Sequence, residues 1–147
     1  MKHPLTIAWF IATGLLTIVG VGAVLATSMQ TESPELAASL LPNVLIHALS
    51  MVAACLVYAN LTGRLQSGAL VPLGFTHLAF AVLSTLAQIG AQYTQMRTLT
   101  SGSHEMSQIA MMYSLSFGLG FIEILLFIAA LIVALNASLK PADTVFQ

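Results

Sequence analysis

Long apolar stretches alternate with short polar links along this chain. Apart from Glu123, four stretches carry no formal charge: residues 3–31, 36–63, 65–96 and 106–139. Each is long enough to cross the roughly 30 Å hydrocarbon layer of a bilayer, which takes about 20 helical residues. The pattern therefore predicts four transmembrane helices, at about 5–28, 36–58, 70–92 and 107–134.

The links carry residues that begin and end helices. Ser33-Pro34-Glu35 combines a hydroxyl N-cap, a first-turn proline and an acid that favours the helix dipole, which predicts the start of the second helix. The short link 61–68 makes the second and third helices antiparallel neighbours. The predicted fold class is all-α: one transmembrane domain over residues 1–147, an up-down four-helix bundle with both termini on the same side.

Composition places this bundle in lipid. Hydrophobic residues make up 58% of the chain and charged residues 6%, against about 25% charged residues in soluble domains. No soluble fold of this size has enough interior to bury so much apolar surface. The sequence has no glycine-rich phosphate loop and no basic patch, which argues against nucleotides and nucleic acids as partners.

Basic residues predict the orientation, because short cytoplasmic segments are enriched in Lys and Arg. Lys2, Arg64 and Lys140 flank one side of the predicted bundle, and Arg97 flanks the other. We expect both termini in the cytoplasm. An alternative interpretation makes the first helix a signal peptide, but its apolar run exceeds the usual 7 to 15 residues.

Glu123 is the exception among the nine charged residues, since the other eight lie in links or tails. A carboxylate at the bilayer centre costs about 2.5–3.5 kcal/mol on insertion scales unless it is protonated, paired or hydrated. His47 and His77 are the candidate partners. Counting along the predicted helices puts His47 level with Glu123, and His77 more than one turn away. We expect these three residues to form an interior centre that binds a cofactor or metal.

Helical spacing groups further polar residues with this centre. Three helices each show a polar stripe, which a shared interior would satisfy and lipid would penalise. The stripes are Asn43, His47, Ser50 and Tyr58 on the second helix, His77, Ser84 and Gln88 on the third, and Tyr113, Ser116, Gly120 and Glu123 on the fourth. Pro42 is expected to kink the second helix beside this region.

One hypothesis for this centre is a subunit of a membrane redox system. Imidazole and carboxylate groups ligate transition metals, two histidines ligate a b-type haem, and a quinone headgroup accepts hydrogen bonds from the same side chains. The difference in depth between His47 and His77 argues against haem, and the sequence lacks a short metal-binding spacing such as HExxH. Whether the protein is an enzyme stays open.

Two alternatives use the same residues differently. Histidine and a desolvated glutamate can exchange protons, which predicts a proton-coupled transporter or an oligomeric channel component. Otherwise the polar groups only hold helices together, and the protein is a structural or assembly subunit of a membrane complex. Either alternative implies a homo-oligomer or a subunit of a larger complex.

Two further features of the sequence are weaker candidates for a functional site. His104 and Met106, followed by Met111 and Met112, have the soft ligand types of a copper(I) site. Cys55 lies within the second helix, and we interpret it as a small packing residue.

Overall fold

The computed structural model describes residues 4–30, 40–65, 68–101 and 106–139. These residues form four helices: α1 (Pro4–Gln30), α2 (Leu41–Arg64), α3 (Leu70–Ser101) and α4 (Met106–Leu139). Each is long and apolar enough to span a membrane. The protein is therefore an all-α, multi-pass membrane protein, and the predicted fold class is confirmed.

Three helices continue beyond their predicted ends. α2 continues to Arg64, α3 to Ser101 and α4 to Leu139. The prediction ended each helix with its apolar run, but backbone hydrogen bonding can continue into the polar interface. At the end of α2, Arg64 places a cation at the negative end of the helix dipole.

α2 begins differently from the prediction, which placed Pro42 inside the second helix and expected a kink there. The predicted Ser33-Pro34-Glu35 helix start lies outside the described residues. Pro42 lies in the first turn of α2, two residues after the N-cap residue Leu40. Backbone N–H groups in a first turn have no intrahelical partner, so proline costs nothing there and no kink follows.

Contacts between helices show that the chain runs up and down. α1 and α2 are antiparallel, since Cys55 lies next to Thr6 and Val44 lies next to Gly20. Contacts between Tyr58 and His77 and between Ser84 and Ser116 show the same for α2–α3 and α3–α4. We call the end with Pro4, Arg64, Leu70 and Leu139 the terminal end, and the end with Gln30, Leu41, Ser101 and Met106 the loop end.

The tightest packing lies near the terminal end. Leu5, Trp9, Tyr58 and Leu70 have at most 1% of their surface exposed. Gly74 of α3 allows this packing, because a Cβ atom there would collide with the Leu5 side chain and approach the Tyr58 ring to 3.2 Å. This end of the bundle is therefore sealed by large apolar and aromatic side chains.

The outer faces of the helices are apolar. Phe10 of α1 is 77% exposed and Phe117 of α4 is 80% exposed. Large exposed hydrophobic residues recur along all four helices. Water would penalise such surfaces, whereas acyl chains match them.

Candidate functional site

A cleft lies between α2 and α4, with α3 as its floor. The part nearer the terminal end, the His77 cavity, has a volume of about 320 Å³ and is lined by His77 and Glu123 among others. The part nearer the loop end, the His47 cavity, has a volume of about 540 Å³ and is lined by His47 among others. Gly120 and Ile124 line both cavities. The two cavities therefore adjoin and form one cleft.

The cleft opens sideways, near the middle of the helices. Its α4 rim consists of Phe117, Phe121 and Ile124, which are 80%, 57% and 59% exposed. Because this part of α4 lies at the depth of the hydrocarbon layer, the cleft faces acyl chains rather than water. The site has an apolar rim toward the lipid and polar groups at its floor.

Glu123 lies at the cleft wall near the middle of the 34-residue α4 and is half-buried. The Ser84 hydroxyl and the His47 ring are the polar groups near enough to influence its carboxyl group. The Ser84 hydroxyl also lies 3.4 Å from the Ser116 carbonyl oxygen, and the Ser116 hydroxyl lies 3.3 Å from the Ser84 carbonyl oxygen. These small side chains hold α3 and α4 close together beside the acid.

His47 connects α2 to the floor of the cleft. Its Nε2 atom donates a hydrogen bond of 2.6 Å to Gln88 Oε1. The Ser116 hydroxyl reaches the same oxygen at 3.5 Å. Since Gln88 lies one helical turn beyond Ser84 on α3, the partners of His47 and Glu123 are neighbours along that helix.

His77 lies in an aromatic cluster near the terminal end. It is buried, and its Nδ1 atom shares a hydrogen bond of 3.1 Å with the Tyr58 hydroxyl. The rings of Trp9, Tyr58 and Phe127 surround it, with centroids 5.2 to 5.9 Å away. The buried Trp9 Nε1 atom has no hydrogen-bond partner among the described residues. Trp9 and His77 both line the His77 cavity.

A small third cavity lies on the other side of His47, between α1, α2 and α3. Its volume is about 10 Å³, close to the minimum that one water molecule needs. Polar side chains from all three helices line it: Thr17, Asn43, His47, Thr85, Gln88 and Gln92. We call it the water-sized cavity. His47 and Gln88 line both this cavity and the cleft.

One face of α3 carries polar groups along most of the length of the helix. His77, Ser84, Gln88 and Gln95 follow one another at intervals of seven, four and seven residues. The Tyr113 hydroxyl donates a 2.7 Å hydrogen bond to Gln95 Oε1. At about 1.5 Å per residue, this face extends over roughly 27 Å, nearly the thickness of the hydrocarbon layer.

The structure places the predicted centre along the cleft rather than at one point. His47 contacts Gln88, which lies eleven residues beyond His77 on α3. These α3 positions are about 16 Å apart. Two axial ligands of one haem iron are separated by only two metal–nitrogen bonds, each about 2 Å long. His47 and His77 therefore do not fit a bis-histidine haem.

The part of the chain that the structure describes contains no set of side chains arranged to bind a metal ion. No group of three His, Cys, Asp or Glu side chains is close enough there to hold a metal ion. His104 of the copper hypothesis lies outside the described residues. Met106 begins α4 and is 67% exposed. Met112 instead packs on α3, with its sulfur 3.8 Å from the Thr94 hydroxyl.

Sequence reasoning found most of the cleft but missed some of its surroundings. The three polar stripes contain His47, Ser84, Gln88, Ser116 and Glu123, and all of them line the cleft. Trp9 was missed, because a single tryptophan in an apolar helix has no polar spacing to mark it. Cys55 packs toward α1, with its sulfur 3.8 Å from the Thr6 carbonyl oxygen.

Comparisons with known proteins do not assign this chain to a family. No protein-family model matches the chain, and no curated protein or solved structure is significantly similar to it. Function therefore has to be inferred from the cleft itself.

Proposed function

We propose that this membrane protein binds a quinone, which enters the cleft sideways from the bilayer. The observation that carries the proposal is the lateral opening of a polar cleft at the depth of the acyl chains. A quinone is soluble in this layer, and its ring carries carbonyl oxygens that need hydrogen-bond donors. Quinones carry electrons and protons together, so this binding role belongs to membrane redox chemistry.

The size and chemistry of the cleft support this ligand class. Cavities for small molecules typically have volumes of about 300–1,000 Å³ and a few converging polar groups, and both parts of the cleft are in this range. The Gln88 amide N–H and the protonated form of Glu123 supply hydrogen-bond donors, and Phe117 and Phe121 supply aromatic surface for a planar ring.

Charge argues against phospholipid and fatty-acid headgroups. No Lys or Arg lines either cavity in the described part of the chain, whereas a carboxyl group does. A phosphate or a carboxylate would have no cation to pair with and would be repelled by ionised Glu123. A neutral carbonyl headgroup avoids both costs.

The intrinsic fluorescence of the protein offers a direct binding test. Trp9 is the only tryptophan in the chain, and it lines the His77 cavity. Decylubiquinone added to the purified protein in micelles should quench Trp9 fluorescence along a saturable curve. Decanol, which has a similar tail without the ring, should not quench it. A linear, non-saturable response to decylubiquinone would contradict the proposal.

Two leucine substitutions in α4 form a matched pair for this test. Gly120 lines both cavities, and a Cβ atom there would lie 3.8 Å from Ser84 Oγ, an ordinary contact. Gly120→Leu should therefore fill the cleft and raise the Kd at least about tenfold, a loss of about 1.4 kcal/mol. Gly118→Leu is the control, because Gly118 has open space around it. Equal affinities in the two variants would place the quinone elsewhere.

A further inference from the structure

We propose that His47 admits protons to the cleft from the loop end through the water-sized cavity, and that the terminal end is closed to them. This inference goes beyond ligand binding and does not require that the ligand is a quinone. It explains how a carboxyl group that faces acyl chains can still exchange a proton with water.

Protons cannot reach Glu123 through the lateral opening, because the hydrocarbon layer holds almost no water. They have to move along polar groups of the protein. Two directions are available inside the bundle, since the polar face of α3 runs from Glu123 toward both ends. The packing at each end decides which direction is open.

Toward the loop end, polar groups continue from the cleft. Asn43 lies in the first turn of α2 and Gln92 lies one turn beyond Gln88 on α3, and both line the water-sized cavity. His47 and Gln88 line the same cavity, so a water molecule in it would have these two side chains beside it as well. Thr17 can only accept a hydrogen bond from it, because its hydroxyl donates to the Thr13 carbonyl oxygen at 2.7 Å.

His47 is the group in this lining that can carry a proton. An amide keeps its protons near neutral pH, whereas an imidazole can take a proton at one nitrogen and release it from the other. His47 lines the water-sized cavity on one side and the cleft on the other. The Gln88 oxygen accepts from both the His47 ring and the Ser116 hydroxyl, so the last step to Glu123 runs through water at the floor of the cleft, which His47, Ser116 and Glu123 all border.

Few other titratable groups surround His47 in the described part of the chain. Glu123 and Tyr113 of α4 line the cleft beside it. In the linings that contain His47, α1 and α3 present only neutral hydroxyls and amides among their polar side chains. On α3, His77 lies eleven residues before Gln88, and the charged residue Arg97 lies nine residues beyond it. Glu123 is therefore the only carboxyl group that borders the cleft beside His47 in the described part of the chain.

Toward the terminal end, the polar groups stop inside the core. The Tyr58 hydroxyl is the last group after His77, and the Tyr58 side chain is fully buried. Trp9, Leu5 and Leu70 close this region, each with at most 1% exposed surface. Among the described residues, no side-chain hydrogen bond leads from the Tyr58 hydroxyl onward through this packing, so proton exchange by this route should be much slower.

Infrared spectroscopy can measure the proposed route in protein reconstituted in nanodiscs. The carbonyl band of protonated Glu123 is identified as the band lost in Glu123→Gln, and its shift after transfer to D2O gives the exchange rate. His47→Asn keeps a polar side chain but cannot relay a proton, so exchange should slow by on the order of tenfold or more. Asn43→Leu, in the lining of the water-sized cavity toward the loop end, should slow exchange as well.

Tyr58→Phe is the matched control at the terminal end, because it keeps the ring and removes only the hydroxyl. Exchange should be unchanged in this variant. Slow exchange in Tyr58→Phe together with unchanged exchange in His47→Asn would overturn the proposal, as would unchanged exchange in all three variants. A wild-type protein that shows no Glu123 band at any pH at which it stays folded would overturn it too. All spectra are recorded without quinone, so failure of quinone binding would not affect the result.

Discussion

The carboxyl group of Glu123 has too few partners to be explained by helix packing alone. Hydrogen bonds between membrane helices contribute about 0.6 kcal/mol on average, while a charged residue at the bilayer centre costs about 2.5–3.5 kcal/mol. The nearby Ser84 hydroxyl and His47 ring would therefore offset only part of that cost. A residue that lowers stability is retained when its chemistry is needed.

Replacement of this residue by an apolar one should therefore stabilise the protein. Glu123→Leu removes the desolvation cost, and we expect the free energy of unfolding to rise by about 1–3 kcal/mol. Reversible unfolding of the purified protein in mixed detergent–SDS micelles measures this change. Saturable quinone quenching should be lost in the same variant.

Ser114→Leu provides the control for Glu123→Leu. Ser114 is an exposed position of the same helix, so this substitution shows what a leucine gains from contact with detergent or lipid alone. If Glu123→Leu destabilises the protein while Ser114→Leu does not, Glu123 holds helices together. That outcome would support the interpretation as a structural subunit.

α1 and α2 pack closely together at Gly20. A Cβ atom at Gly20 would lie 2.8 Å from a γ-carbon of Val44, which is closer than real side chains pack. Val44 is β-branched and buried, so it has little freedom to move away. Close approach of this kind is a main source of stability between membrane helices.

Two alanine substitutions in α1 test this contact. Gly20→Ala should lower the free energy of unfolding by about 1–3 kcal/mol through overpacking. Gly22→Ala, where nothing lies within 4 Å, should leave it unchanged or raise it by up to about 1 kcal/mol, because alanine favours a helix. The double variant Gly20→Ala/Val44→Ala should regain part of the loss. Equal effects at Gly20 and Gly22 would show that this contact does not limit packing.

The sequence predicted the helices and the polar faces better than it predicted their ends or neighbours. Charged residues are so few that their positions mark the limits of the membrane spans. Helical spacing alone placed Ser84 and Gln88 on one face of α3. Spacing could not show that Gln88, rather than Glu123, would be the hydrogen-bond partner of His47. It also could not show that α2 and α4 would leave an opening, since this depends on how the helices pack across α3.

In the molecule as a whole, polar side chains of the interior follow one face of α3, and the two ends of the bundle are packed differently. Near the loop end, polar side chains from three helices surround the water-sized cavity. Near the terminal end, aromatic and aliphatic side chains seal the core. The orientation of the bundle in the membrane therefore determines from which compartment protons reach the cleft.

Basic residues lead us to place the terminal end in the cytoplasm, because Lys2, Arg64 and Lys140 flank it while Arg97 lies toward the loop end. With Cys55 replaced by alanine, a cysteine at Met106→Cys should react with a membrane-impermeant maleimide on intact cells. Gly63→Cys, in the last turn of α2, should react only after the cells are broken. The reverse labelling pattern would show that the loop end lies in the cytoplasm. Protons would then reach the cleft from the cytoplasm. Labelling of both on intact cells would show that the three-to-one bias in basic residues does not fix a single orientation.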